Sequence, residues 1–103
     1  MIWNRNKGDR NNGELIRRRI VFYGWVQGVG FRWRAQTIAN DLGLTGWVRN
    51  EYDGSVLMEL QGPIVKIYQL VDTLENDHWI RIDEKYMREI PVEPHESQFR
   101  VTH

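Results

Sequence analysis

An α+β sandwich, with two helices on one face of an antiparallel sheet, is the architecture this sequence predicts. Two stretches place apolar residues at helical spacing: Phe31, Ala35, Ile38, Ala39 and Leu42, then Ile64, Ile67, Val71 and Leu74. Short β-rich runs precede, separate and follow them, so the order reads β, α, β, β, α, β with one added strand, the split βαβ pattern. Between the second and third runs, Asp53-Gly54 is a hairpin signal.

Residues 1–13 are rich in Asn, Arg, Lys and Gly, with Ile2 and Trp3 as the large apolar groups, and are expected to form a flexible extension. A single domain over residues 14–103 should follow. Its first strand runs from Leu15 to Tyr23 and ends in Ile20, Val21, Phe22 and Tyr23, a run that suits a central strand buried on both faces. Gly24 to Gly30 then reads as a shaped loop. The first helix should stop at Gly43, in a left-handed C-terminal turn, with Trp33 on its far face. Two short strands, Trp47 to Asn50 and Val56 to Leu60, flank the hairpin. Gly62-Pro63 opens the second helix, with Pro63 near the first helical position and the end by about Asn76. Further strands are expected around Trp79 to Glu84, with Tyr86 to Ile90 as a continuation, and around Gln98 to Thr102.

Composition narrows the function classes. The chain has 103 residues, 41% apolar and 27% charged, with five Trp, three Phe and four Tyr, which suits one small packed domain. Lys plus Arg and Asp plus Glu number 14 each, so no global field draws the chain to nucleic acid or to an anionic membrane, and any anion site must be local. The absence of cysteine removes disulfide scaffolds, thiolate nucleophiles and zinc-thiolate sites. No apolar run approaches the roughly 20 residues of a membrane span, and the N-terminal stretch has no signal-peptide core. The expectation is a cytoplasmic monomer without nucleic-acid or membrane partners.

The segment Gly24-Trp25-Val26-Gln27-Gly28-Val29-Gly30-Phe31-Arg32 joins a strand to a helix start through a glycine-rich turn. Unpaired N–H groups at a helix N-terminus and the helix dipole favour an anion there, and Arg32 beside them can donate two parallel hydrogen bonds to phosphoryl oxygens. The loop lacks the third glycine of a dinucleotide fingerprint, since position 33 is Trp, and no Walker Gly-Lys-Ser or Gly-Lys-Thr follows. By composition alone it is read equally well as an ordinary structural turn or as an anion site.

A second segment changes that balance. Gly24-x-Val26-Gln27-Gly28-Val29-x-Phe31-Arg32, followed by Leu42-Gly43-Leu44-Thr45-Gly46-Trp47-Val48-Arg49-Asn50, closely resembles the two signature segments of the acylphosphatase family, with matching spacing. The resemblance runs from about Ile16 to Val101 and weakens after Leu74. It implies a ferredoxin-like sandwich that hydrolyses small acyl phosphates to a carboxylate and inorganic phosphate, with no cofactor and no metal. By that resemblance Arg32 binds the phosphoryl group, Asn50 positions the attacking water, and the backbone amides of Gly28, Val29, Gly30 and Phe31 cradle phosphate. Trp25 stands where the family often carries a polar or basic residue, which bears on substrate preference.

The chemistry suits so few groups. The leaving carboxylate has a conjugate acid of pKa about 4, so no enzyme acid is needed. Positioning and charge stabilisation suffice for phosphoryl transfer, and a phosphoryl oxygen can take the water's proton. Other residues have plainer readings. Glu51 and Asp53 suit the hairpin turn better than the role of general base. His78, His95 and His103 lack metal-ligand spacing and are expected to be solvated. Arg17, Arg18 and Arg19 invite an RNA-binding reading, yet a strand sends alternate arginines to opposite faces, and the run Ser55 to Leu60 lacks an aromatic platform. A non-catalytic ferredoxin-like module binding a small anion or RNA is the alternative.

Overall fold

A computed structural model describes residues 13–103, so the extension expected over residues 1–13 lies, but for Gly13, outside the described residues. The elements follow as β1 (Ile16–Trp25), α1 (Phe31–Leu42), β2 (Thr45–Asn50), β3 (Val56–Gly62), α2 (Ile64–Glu75), β4 (Arg81–Ile90) and β5 (Phe99–Val101). They build one sheet in the order β4-β1-β3-β2-β5. Strand β1 pairs antiparallel with β3 and β4, β2 pairs antiparallel with β3, and β5 runs parallel to β2. The split βαβ sandwich is therefore present. The added strand makes the sheet mixed, because the chain leaves β4 at one edge and crosses to the other before laying down β5.

Local chemistry explains most boundaries. Helix α1 ends where Gly43 takes up a left-handed conformation and Leu44 donates to the Ala39 carbonyl at 2.8 Å. Pro63 precedes α2, whose buried stripe is Ile67, Leu70, Val71 and Leu74. Strand β1 is longer than expected, since Gly24 and Trp25 continue it against Ile82 and Arg81 after a register shift. Gly24 lies so close to β4 that a Cβ there would sit 2.2 Å from the Arg81 carbonyl oxygen, so this glycine permits close approach instead of breaking the strand. Strand β4 starts two residues later than the expected Trp79 and runs unbroken over Arg81–Ile90, so the stretch Tyr86 to Ile90 does continue it.

Alternation sorts the side chains. Ile16, Ile20 and Phe22 of β1, Val48 of β2, and Val56, Met58 and Leu60 of β3 are buried under α1 and α2, together with Phe31, Ala35 and Ala39. Each buried Val, Leu, Ile, Phe or Met is worth about 1.5–3 kcal/mol, so this layer carries the stability of the fold. Strand β1 is central as expected, but Val21 and Tyr23 on the other face are only half-buried. That face is crossed at one end by the β4–β5 connection. Glu93 and Gln61 exchange two hydrogen bonds, from the Glu93 N–H to Gln61 Oε1 at 2.7 Å and from Gln61 Nε2 to the Glu93 carbonyl at 3.0 Å.

Arg17 anchors the same crossing. Its side chain is 2% exposed, donates to Glu59, Gln61 and Glu96, and meets Glu96 Oε1 at 2.7 Å. Burial opposes its charge, but the hydrogen bonds and charges of Glu96 and Glu59 outweigh burial and raise its pKa. Arg18 points to the helix side, where it donates to the Tyr68 hydroxyl at 3.3 Å, and Arg19 pairs with Glu59 at 3.4 Å. The three arginines divide between the faces, as a strand requires, and serve internal contacts.

Candidate active site

The pairing directions bring the C-terminal ends of β1, β2 and β5 to one edge of the sheet, beside the start of α1. There the β1–α1 loop is held at both ends by buried side chains. Val26 is 0% exposed, and Phe31 packs on Phe22 with ring centroids 5.0 Å apart. Between these anchors the chain arches outward through Gln27 to Gly30. Gly28 and Gly30 have φ of 74° and 80°, and a Cβ on either would meet nothing within 4 Å. Backbone conformation, not crowding, therefore selects glycine here, and the space above the loop stays open.

Gly30 is the N-cap of α1, with no side-chain cap and no acidic residue in the first turn. Its carbonyl accepts from Arg34 N–H at 2.9 Å, and the amides of Phe31, Arg32 and Trp33 have no intrahelical acceptor by the geometry of a helix start. Arg32 stands in this first turn. Its Nη1 donates to the Thr102 carbonyl at 3.3 Å and lies 3.2 Å from His103 Nδ1. Opposite, Asn50 ends β2 facing Val56, and its Oδ1 is buried without a hydrogen-bond partner. A cleft of about 320 Å³ joins these groups, lined by Gly28, Gly30, Phe31, Arg32 and Asn50, with Gln36 and Val101 at its side. A second hollow of about 490 Å³ shares Asn50 and is bordered by Arg49, Glu51, Tyr52 and His103.

Of the residues singled out from sequence, Gly28, Gly30, Phe31, Arg32 and Asn50 thus meet at one cleft. Val29 does not line it, because its side chain packs against the core. Glu51 and Asp53 have structural partners. Glu51 pairs with Arg49 at 2.6 Å, and Asp53 Oδ1 accepts from the Ser55 hydroxyl at 2.6 Å and the Ser55 N–H at 2.9 Å. The Ser55 hydroxyl and N–H bonds hold the Asp53 carboxyl below its ordinary value. His78 lies edge-on to Trp79, and His103 is exposed as expected yet touches Arg32. Among the described residues no three His, Cys, Asp or Glu side chains gather as metal ligands.

Sequence reasoning missed two features. The C-terminal Thr102 and His103 hold Arg32, a contact between residues about 70 apart in the chain that no local pattern signals. Gln27, part of the glycine-rich motif but given no role by it, donates from Nε2 to the carbonyls of Glu51 at 2.8 Å and Ser55 at 2.7 Å.

Comparison with known proteins bears on the family and the fold. A family model described as Acylphosphatase matches residues 18–101. An acylphosphatase of Bifidobacterium longum is 40% identical over 84 residues, spanning 81% of this chain and 87% of that protein. Among solved structures, an acylphosphatase from Bacillus subtilis superimposes with a TM-score of 0.79 at 29% identity, covering 85% of this chain and 99% of that one. One from Coxiella burnetii gives 0.78 at 32% identity, over 85% of this chain and 93% of that one.

Proposed function

The chain belongs to the acylphosphatase family, and on that premise we propose that its cleft hydrolyses small acyl phosphates, with Arg32 and the loop amides binding the phosphoryl group and Asn50 orienting water. The observation that carries this reading is the buried, unpartnered Asn50 Oδ1, which shares a cleft with Gly28, Gly30 and Arg32. An acceptor in that position suits a donor that arrives with the substrate. The dianionic phosphoryl group settles against the amides at the start of α1 and takes a bidentate hold from Arg32. Water donates one hydrogen to Asn50 Oδ1, which aims its oxygen at phosphorus in line with the acyl oxygen. The new phosphorus–oxygen bond forms as the bond to the acyl oxygen breaks, the water's other proton passes to a phosphoryl oxygen, and the carboxylate leaves unprotonated.

No cofactor enters this scheme, and the amides and guanidinium supply the positive charge that a metal would otherwise bring. The reading includes a monomer in the cytoplasm. The RNA-binding alternative is not favoured, since Arg17 is sequestered in an ion-pair network and Arg18 and Arg19 have partners within the fold.

Acetyl phosphate hydrolysis by the purified chain tests the reading. Asn50→Ala should lower turnover by on the order of 10² to 10³, the usual loss for a positioned transition-state donor or acceptor, while inorganic phosphate still binds. Arg32→Ala should lose both turnover and phosphate binding. Chelator in the assay should change neither parameter of the unaltered protein. Near-normal turnover in Asn50→Ala would remove the role assigned to it, and activity lost to chelator and restored by Mg²⁺ would put a cation in the site.

A further inference from the structure

The phosphate loop and the strand carrying Asn50 are separate pieces of chain, and the reaction assigned above works only if their spacing is fixed. The last paired residues of β1 and β3 are Phe22 and Val56, so the loop at 26–30 and the hairpin tip at 51–55 project beyond the ladder that joins their strands. Gln27 bonds across this gap. Gln27 Nε2 donates both of its hydrogens, one to the Glu51 carbonyl at 2.8 Å and one to the Ser55 carbonyl at 2.7 Å. Among the described residues these are the only hydrogen bonds joining loop and hairpin.

The placement is suited to controlling distance. Gln27 is bonded covalently to Gly28 and Glu51 to Asn50, so the amide links the immediate neighbours of two cleft-lining residues. Its acceptors are themselves held. The Ser55 carbonyl accepts from Glu51 N–H at 2.9 Å, the Glu51 carbonyl accepts from Gly54 N–H at 3.1 Å, and Asp53 closes the turn onto Ser55. Val26, the preceding residue, is fixed in the core. Both ends of the bridge are therefore rigid.

Resting on the acyl phosphate reading, we propose that Gln27 is a positioning residue, which sets the distance between bound phosphoryl group and Asn50-held water without touching either. Gln27→Met keeps the length of the side chain and removes both donors, so loop and hairpin are free to separate. A displacement of about 1 Å at a reacting centre can cost about 10²-fold in rate. The loop amides and Arg32 remain, so phosphate recognition should survive while turnover falls.

A double-mutant cycle on the full chain separates this role from simple support of the fold. With acetyl phosphate, Gln27→Met should lower kcat by at least about tenfold while the melting-temperature rise given by inorganic phosphate persists. In the Asn50→Ala background the same change should alter kcat by less than about twofold, because there is no longer an oriented water to misplace. Equal fold-losses in the two backgrounds, or a loss confined to KM and phosphate binding, would overturn the positioning role while leaving the acyl phosphate reading intact. Near-normal turnover in Asn50→Ala alone would overturn both. Gln27→Asn, which keeps an amide but shortens its reach, should fall with Gln27→Met, and full activity in it would show that the two long-range bonds are not needed.

Discussion

A buried carbonyl oxygen without a donor costs on the order of 1–3 kcal/mol, and Asn50 Oδ1 is such an atom, on a residue that lines the cleft. The neighbouring hairpin shows the opposite arrangement, with its polar atoms satisfied internally. Asp53 accepts two hydrogen bonds from Ser55, and these lower its pKa. A carboxyl whose folded pKa is depressed contributes stability that is fully present above its unfolded pKa and is lost as pH falls through the folded value. Asp53→Asn keeps an acceptor but does not titrate. Its melting temperature should therefore lie below that of the unaltered protein at about pH 6, and the difference should fade once the pH is taken below the ordinary carboxyl value of 3.8. A difference that stays constant with pH would show that the charge on Asp53 adds nothing to the turn. At this scale Arg32 and Asn50 were legible because family motifs name them. Gln27 and His103 were not, since their partners lie 24 and 28 residues away in one case and 71 in the other.

Among the elements, the two helices were legible nearly to the residue, because a helix is written locally in its apolar period, its proline start and its glycine stop. Strand β4 was less so. It pairs with β1 alone, and most of its residues, including Arg81, Asp83, Glu84, Lys85, Arg88 and Glu89, are exposed, so it carries little of the alternation that marks a half-buried strand. The β4–β5 connection that follows this edge strand is held to the sheet by the ion pair of Glu96 with Arg17, which also pairs with Glu59 of β3. Glu59 and Glu96 are only 13% and 15% exposed, so removing the guanidinium leaves two carboxylates close together and poorly hydrated. Breaking such a buried network by deleting one partner costs about 3–5 kcal/mol. Arg17→Met should accordingly shift the urea unfolding midpoint well below that of the unaltered chain with little change in slope. An unchanged midpoint would mean that the lost ion pairs are offset by the relief of burying a charge.

For the molecule as a whole, the anion site proposed above would link ligand binding to stability. The amides of Phe31, Arg32 and Trp33 have no acceptor within α1, and an anion that binds only the folded chain stabilises it by RT ln(1 + [L]/Kd), about 2.7 kcal/mol at a hundredfold excess over Kd. In a domain of this size each kcal/mol moves the melting temperature by roughly 4–8 °C, so inorganic phosphate should raise it measurably, and sulfate should act in the same direction. Arg32→Ala keeps the loop backbone but removes the bidentate hold proposed for Arg32, and its phosphate-induced rise should shrink at equal ionic strength. Identical responses from the two proteins would mark a general salt effect and place phosphate elsewhere.

The sequence by itself determined the sandwich class, both helices, the central place of the first strand and five residues of the cleft, Gly28, Gly30, Phe31, Arg32 and Asn50, because each is encoded in neighbours or in a contiguous motif. Only the tertiary structure decided which faces the three successive arginines serve, that the last strand joins parallel to β2, that Gln27 bonds to the hairpin, and that the C-terminal residues meet Arg32. The physical reason is the same in each case. A side chain's hydrogen-bonding partner is set by which strands become neighbours, and that order, β4-β1-β3-β2-β5, brings together residues that no window along the chain contains.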